Sequence, residues 1–188
     1  MVDQPGIPDG VYYGIAVDLR RKFPCAGSVL DVGCGTGQLL QHLVELFPRA
    51  GGCEPDEDCF FKALDRTRGK ATLFQKTADK LPRDEWNLIV SWQVLEHLPD
   101  QAAATITLLH LRALALHHVH CICLAPPESA ERVDPGHTLL LSRAEWLKTF
   151  SDCGYTHLPD REWGGSPELM VFRNSEASSS AGPQSLAR

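Results

Sequence analysis

Hydrophobic positions along the chain follow two alternating patterns. Short uninterrupted apolar runs, which are typical of buried strands, are separated by longer stretches in which apolar residues recur every three or four positions, as on one face of a helix. Five such runs predict strands, and two more candidates follow near the C-terminus. The predicted strands cover residues 28–32, 50–54, 71–75, 86–92, 118–126, 155–163 and 167–172.

Helical stretches are predicted between these runs. The first covers about residues 10–23, and its apolar face includes Val11 and Tyr12. Asp9 is expected to be its N-cap, because a short polar side chain there can accept a hydrogen bond from the first turn. A longer helix is predicted from about residue 100 to residue 116.

A capping box marks the start of the last helix. Ser142 precedes Glu145 by three positions, so each side chain can bind the backbone N–H of the other residue. The helix is expected to end at Gly154, since glycine favours the left-handed conformation found at helix C-termini.

The order of the elements predicts the fold. Strands that alternate with helices of this length imply right-handed crossovers, and therefore a mostly parallel, doubly wound sheet with helices on both faces. No helix separates the last two strands, so they predict an antiparallel hairpin at one edge of the sheet. We expect a single α/β domain over residues 1–173, followed by a disordered tail of small polar residues, 174–188.

Composition argues against several classes of function. The 188 residues include 18 Lys and Arg against 24 Asp and Glu, which gives a net charge of -6. Phosphate binding needs clustered basic residues, so no nucleic-acid partner is expected. Seven scattered cysteines without a CxxC pair indicate reduced thiols and a cytoplasmic protein. No apolar run approaches the roughly 18 residues that a membrane span requires.

The histidines of "HHVH", residues 117–120, raise the question of a metal site. Two of them, His118 and His120, would share one face of a strand. No carboxylate lies close to them in sequence, and the spacing typical of zinc ligands is absent. No metal site is therefore predicted.

The stretch "VLDVGCGTGQLL", residues 29–40, joins the first strand to the first crossover helix. Gly33, Gly35 and Gly37 fall at the carboxyl end of the strand, where ligands bind in sheets of this class. The spacing is GxGxG, because position 38 is Gln38, and it differs from the GxGxxG of dinucleotide-binding folds. This turn predicts a ligand other than a pyrophosphate.

Two carboxylates near the glycine turn indicate the charge of that ligand. Asp31 precedes the glycines by two residues, where a phosphate would be repelled and a cation attracted. Glu54 ends the second strand, where an acid can accept hydrogen bonds from both ribose hydroxyls. A cofactor with adenine, ribose and positive charge but no phosphate fits these features, and S-adenosylmethionine has that chemistry.

Four motifs in order carry a family resemblance. "VLDVGCGTG" resembles the first motif of class I S-adenosylmethionine-dependent methyltransferases, and "CEPD", "TADKLP" and "WNLIVSWQVLEHLPD" resemble the later ones. The ensemble is similar to the ubiquinone-biosynthesis type, the methyltransferase type 11 group, over about residues 10–173. The resemblance implies a Rossmann-like seven-stranded sheet of strand order 3-2-1-4-5-7-6.

The resemblance also implies roles for individual residues. The first helix would close over the cofactor, so Tyr12 and Tyr13, together with Asp134, are predicted to face the substrate. Ordinary packing remains the alternative for the two tyrosines. The residues implied to bind the cofactor are Asp31, Gly33, Cys34, Gly35, Gly37, Glu54, Pro55, Asp79, Leu81, Ser91, Trp92 and Gln93.

Two histidines are candidate catalytic residues. His97 follows the fourth strand, in an "EH" step that relatives share, and a neutral imidazole can take a proton near neutral pH. Its alternative role is to hold the loop. His137, in "VDPGH", resembles a histidine that faces the acceptor in some sugar-modifying relatives; a plain surface loop is the alternative.

The predicted function is methyl transfer to an oxygen or nitrogen atom of a small molecule, such as a sugar, a quinone or a natural-product intermediate. A cofactor-binding partner subunit without catalysis is the alternative, and a nicotinamide-dependent reductase is a weaker one. Little sequence is inserted between the fifth strand and the last helix. The acceptor pocket is therefore expected to be open, or completed by a second copy in a homodimer.

Overall fold

The computed structural model describes residues 8–122, 124, 136–162 and 166–175. Over these ranges the chain forms one sheet of seven strands, with five α-helices packed against it. The strands are β1 (Ser28–Val32), β2 (Arg49–Cys53), β3 (Thr72–Phe74), β4 (Trp86–Trp92), β5 (Ala115–Cys121), β6 (Tyr155–His157) and β7 (Leu169–Asn174). The helices are α1 (Asp9–Lys22), α2 (Leu40–Leu46), α3 (Glu57–Thr67), α4 (Gln101–Arg112) and α5 (Arg143–Asp152).

The strand order is β3-β2-β1-β4-β5-β7-β6, so the predicted α/β fold and its topology are confirmed. β1 pairs in parallel with β2 on one side and with β4 on the other. β7 lies antiparallel between β5 and β6, which makes the predicted C-terminal hairpin one edge of the sheet. The chain changes direction across the sheet between β1 and β4, and ligands of such folds bind beyond the carboxyl ends of these strands.

The core lies on both faces of the sheet. All five residues of β1 are buried, as expected for a central strand of a parallel sheet, and they include the polar Ser28 and Asp31. One face packs against α1 and α2. On the other face, the rings of Phe150 in α5 and Phe172 in β7 stack with centroids 3.9 Å apart, beside the fully buried Trp146. These two layers hold the carboxyl ends of the central strands in fixed positions.

The first helix differs from its prediction in two details. Pro8 occupies the N-cap position, because its extended backbone leads directly into the helix, and Asp9 is the first helical residue. The Asp9 carboxylate instead accepts a hydrogen bond from the side-chain amide of Gln41 at 2.8 Å, which links α1 to α2. Val11 is 47% exposed, because the buried face runs through Tyr12, Ile15, Ala16 and Leu19.

The helix predicted at residues 100–116 is shorter in the structure. α4 ends at Arg112, and β5 begins at Ala115, where it pairs with Trp86 of β4. The apolar run after Arg112 suits a helix or a strand equally well, so pairing with β4 decides the boundary. β5 therefore starts before the predicted residues 118–126; residues 123, 125 and 126 lie outside the described part of the chain.

The C-terminal elements are partly as predicted. The capping box of α5 is present, with the Ser142 and Glu145 side chains each bound to the other's backbone N–H, and Gly154 has a φ of +82°. The strand predicted at residues 155–163 has three residues, because Pro159 starts a single 3₁₀ turn. Asn174, which the prediction assigns to the tail, is the last residue of β7 and pairs with Tyr155. Residues 1–7 and 176–188 are outside the described ranges, so the rest of the predicted domain limits and the disordered tail stay predictions.

Candidate functional site

The glycine turn joins β1 to α2 with three glycines in the left-handed region, at φ values of +68°, +54° and +82° for Gly33, Gly35 and Gly37. A Cβ on Gly33 would lie 2.7 Å from Cγ2 of Val94, and one on Gly37 would lie 3.0 Å from the Cα of Ala63. A side chain at Gly33 would therefore force Val94 to move and one at Gly37 would crowd Ala63, while the positive φ at both positions favours glycine.

Glu54 follows β2 and holds the glycine turn through its carboxylate. Its Oε2 accepts a hydrogen bond from the backbone N–H of Gly35 at 3.0 Å. Its Oε1 accepts one from the N–H of Asp56, also at 3.0 Å. The side chain is buried, yet each carboxylate oxygen has a second lone pair for a ligand hydroxyl. The predicted ribose-binding acid is thus fixed in orientation at two points.

Asp31, at the carboxyl end of β1, is a buried carboxylate without an ionic partner in the described part of the chain. It is 2% exposed, and its Oδ2 atom has no hydrogen-bond partner there. Burial, and secondarily the charge of Glu54, raise the pKa of Asp31 to about 8. A cationic group placed beside this carboxylate would offset the cost of its burial.

A cavity of about 490 Å³ opens beside Glu54, and Asp31 lies behind its lining residues Val32 and Gly33 in sequence without lining it. Five predicted site residues line it: Gly33, Glu54, Pro55, Asp79 and His97. The opposite wall comes from the turn after β4 and from α4, and it is mostly apolar. Lining residues that were not predicted are Val32, Cys53, Lys76, Thr77, Ala78, Val94, Leu95, Leu98, Pro99, Ala103, Ile106 and Thr107.

The apolar wall formed by α4 and the turn after β4 was not predicted, although one feature of it is visible in the sequence. Ile106 is 59% exposed on α4, and Leu109, one turn further along, is 46% exposed. The helix "QAAATITLLHLR" has apolar residues on its outer face as well as its inner face. An apolar residue on the outer face of such a helix can mark a ligand-contacting wall.

Eight of the twelve predicted cofactor residues lie outside the lining of this cavity. They are Asp31, Cys34, Gly35, Gly37, Leu81, Ser91, Trp92 and Gln93. The backbone carbonyl of buried Leu81 faces Nε2 of His110 at 2.9 Å. Gln93 has a φ of +54° and donates its N–H to the carbonyl of Cys121. Trp92 is half-buried against the core on the α1 side.

Ser91 forms a buried pair that sequence analysis did not anticipate. Its Oγ lies 2.6 Å from Nδ1 of His120 on the neighbouring strand, and both side chains are fully buried. Burial places the pKa of His120 well below its ordinary value, and that of His118 at about 3. Neither ring is therefore charged near neutral pH. Within the described residues, no three His, Cys, Asp or Glu side chains are grouped so that they could hold a metal ion.

The remaining predicted residues differ in their surroundings. Cys34, in the glycine turn, is buried, and this burial raises the pKa of its thiol. Tyr12 belongs to the core, whereas Tyr13 is 53% exposed and packs edge-on against the ring of His42. Neither tyrosine lines the cavity, and Asp134 lies outside the described residues.

The two predicted catalytic histidines are brought together, although they lie 40 positions apart in sequence. The rings of His97 and His137 meet edge to face, with centroids 4.8 Å apart. Nδ1 of His97 lies 2.8 Å from the carbonyl oxygen of Gly136. Because a carbonyl can only accept, Nδ1 is the donor of this hydrogen bond.

Comparison with known proteins identifies the domain. Residues 16–158 match the family described as "Methyltransferase domain". Trans-aconitate 2-methyltransferase of Methylobacterium nodulans is 30% identical over 129 residues, which are 66% of this chain and 48% of that protein. The chain thus spans about half the length of this relative. In the described ranges, no helix is long and apolar enough to cross a membrane.

Solved structures share the fold at low sequence identity. DesVI of Streptomyces venezuelae has a TM-score of 0.73 and 21% identity, covering 86% of this chain and 91% of that one. An amino pentose methyltransferase of calicheamicin biosynthesis from Micromonospora echinaspora, solved with S-adenosylmethionine bound, has a TM-score of 0.72 and 16% identity, with 90% and 92% covered. The family match over most of the chain agrees with the resemblance of its four motifs, and the protein belongs to the methyltransferase domain family.

Proposed function

We propose that this protein transfers a methyl group from S-adenosylmethionine to an oxygen or nitrogen atom of a small molecule. One observation carries the proposal: Glu54, fixed by two backbone amides, stands near the buried and unpaired carboxylate of Asp31, and Glu54 borders the cavity. The charge of Glu54 would repel a pyrophosphate, and a ligand cation would favour the ionised form of Asp31 beside it. Both effects argue against a nicotinamide cofactor.

The residues fit S-adenosylmethionine in size as well as charge. A cavity of about 490 Å³ is within the usual range for small ligands. Asp31 would accept from the ammonium group of the cofactor, and Glu54 would accept from the ribose hydroxyls. Asp79 would accept from the adenine amino group, with Pro55 against the ring.

Bound S-adenosylmethionine supplies an electrophilic methyl group on a sulfonium, and this cofactor carries the difficult chemistry. The protein has to align the acceptor and remove its proton as the new bond to carbon forms. His97 is the proposed base, with His137 beside it. General-base assistance of this kind contributes roughly 10²–10⁴-fold to the rate.

For the acceptor we propose a sugar, quinone or natural-product intermediate. The support is indirect: one structural neighbour is described as an amino pentose methyltransferase. A second copy of the chain that completes an open acceptor pocket is part of the same proposal. Sedimentation of the purified protein, with and without cofactor, measures whether that copy is present.

Titration calorimetry with S-adenosylhomocysteine, with NAD as the control, tests the proposed cofactor. We expect micromolar binding of the first compound and none of the second. Tritiated methyl transfer to a panel of acceptors then separates an enzyme from a partner subunit that only binds the cofactor. Binding of NAD alone would reject the proposal.

A further inference from the structure

Residues 136–139 are joined to the turn after β4 by a cluster of hydrogen bonds. The backbone N–H groups of Thr138 and Leu139 both donate to the carbonyl of Glu96 at 2.9 Å. The Thr138 hydroxyl donates to the carbonyl of Leu98 at 2.7 Å. The carbonyl of Gly136 accepts from Nδ1 of His97. Every residue from 96 to 98 is therefore bound by this segment.

The contact with Gly136 decides which nitrogen of His97 carries the proton. A neutral imidazole has one N–H and one lone pair, and a backbone carbonyl can bind only the N–H. Nδ1 is then protonated, and the lone pair is on Nε2. The described residues supply no hydrogen-bond partner to Nε2, and His97 lines the cavity.

We propose that residues 136–139 hold His97 as the Nδ1–H tautomer, so that Nε2 is the atom that takes the proton of the methyl acceptor, and that Thr138 is the positioning residue. The proposal rests on the methyl transfer proposed above. In free histidine the Nε2–H form is the more populated one, so the backbone contact works against the intrinsic preference of the ring. Loss of the Thr138 anchor would let His97 return to that form.

Thr138 is the member of the segment that a side-chain change can test. Its hydroxyl fixes the segment to the carbonyl of Leu98, two residues along the chain from the Gly136 carbonyl that binds His97. Thr138→Val keeps the shape but removes the donor, whereas Thr138→Ser keeps the donor. The pair therefore separates loss of the hydrogen bond from loss of packing.

Nitrogen-15 NMR of the imidazole rings reads the tautomer directly, at about pH 8, above the ordinary pKa of histidine. The chain has eight histidines, and the signals of His97 are those lost in His97→Gln. In the wild-type protein we expect a protonated Nδ1 and an unprotonated Nε2 at His97. In Thr138→Val we expect the pattern to move toward the Nε2–H form, while Thr138→Ser retains the wild-type pattern. The signals of His118 and His120 report whether the core is intact.

A wild-type His97 with its proton on Nε2 would overturn the proposal without any variant. An unchanged pattern in Thr138→Val, with the core signals intact, would remove Thr138 from its role. The measurement needs no cofactor and no acceptor. It can therefore fail while S-adenosylhomocysteine binding succeeds, and it can succeed where the proposed function fails.

Discussion

Glu54 is the residue whose replacement we expect to weaken cofactor binding most. Both of its oxygens already accept from the amides of Gly35 and Asp56, so the carboxylate shapes the turn and also faces the cavity. Glu54→Gln would keep the size but direct an NH₂ group at one of those amides. Hydrogen bonds to charged groups contribute roughly 1.5–3 kcal/mol each. Weakening the two proposed bonds from the ribose hydroxyls to Glu54 therefore predicts a loss of about a hundredfold or more in S-adenosylhomocysteine affinity.

Calorimetry measures this loss, and Glu57→Gln is the matched control. Glu57 is an exposed acid in the first turn of α3, three residues from Glu54. Glu57 does not line the cavity, so we expect its replacement to leave the affinity unchanged. Equal affinity of the Glu54→Gln variant and the wild-type protein would contradict the proposed role of Glu54.

Asp31 makes the predicted binding dependent on pH. Its pKa of about 8 means that it is mostly protonated at pH 7 before a ligand binds. A ligand ammonium favours the ionised carboxylate, so binding releases a proton. Affinity for S-adenosylhomocysteine is therefore expected to rise about tenfold per pH unit below pH 8, and to level off above it.

Calorimetry in two buffers with different ionisation enthalpies measures the released proton. Asp31→Asn cannot ionise, so this variant is expected to bind more weakly and with little pH dependence between pH 6 and pH 8. The same steep dependence in Asp31→Asn would assign the proton to another group.

At the scale of the elements, β2 is packed closely on both sides at Gly51. A Cβ on Gly51 would lie 2.5 Å from the ring of Trp86 and 2.9 Å from the carbonyl oxygen of Thr72. We expect Gly51→Ala to destabilise the fold by about 1–3 kcal/mol, the usual cost of overpacking. Denaturant unfolding measures the change.

Gly14 supplies the matched control for the same substitution. It lies within α1, and a Cβ there would meet no atom within 4 Å. Because alanine loses less backbone entropy in a helix, Gly14→Ala is expected to stabilise the protein by roughly 0.5–1 kcal/mol. A stabilising effect of Gly51→Ala would contradict the close packing of β2 against Trp86.

Most elements could be predicted from local pattern, and the exceptions have a common cause. β1 and β4 each contain an apolar run, at residues 29–30 and 88–90, so buried strands are readable in the sequence there. The end of α4 at Arg112 could not be predicted, because "ALAL" is compatible with a helix or a strand. Pairing with β4 determines which of the two forms. The Ser91–His120 contact likewise depends on the register between two strands, which no local pattern contains.

The candidate site likewise contains residues that the sequence predicts and residues that only the folded structure brings together. Gly33, Glu54 and Asp79 follow from motifs whose spacing has a chemical reason. The apolar wall does not, because Leu98 and Ile106 reach the cavity through the packing of α4 and of the turn before it. The pairing of His97 with His137 required both the fold and the path of residues 136–139.

At the scale of the whole molecule, two sets of buried groups set how stability depends on pH. His118 and His120 are neutral in the folded chain and charge on unfolding below about pH 6.5, so each removes stability as pH falls, by about 1.4 kcal/mol per unit. Asp31 changes the stability with pH in the opposite direction. Its raised pKa means that the folded chain holds a proton that the unfolded chain has lost, so stability falls as pH rises from about 4 to 8.

The sum predicts that the ligand-free protein is most stable near pH 6.5. Below this pH the stability lost through the two histidines exceeds the stability gained through Asp31. Above it, Asp31 alone lowers the stability until about pH 8. Asp31→Asn should remove the decline above pH 6.5 and steepen the decline below it. Denaturant midpoints measured from pH 5 to pH 9 test this, and a wild-type curve that is flat between pH 6.5 and 8 would contradict it.

The short strands at the two ends of the sheet have a consequence for solubility. β3 and β6 have three residues each, so each sheet edge offers few unpaired backbone groups to another chain. Brief edge strands are one of the ways in which natural proteins avoid edge-to-edge aggregation and domain swapping. Any self-association of this protein is therefore expected to use helix faces, and the sheet should not extend from one copy into the next.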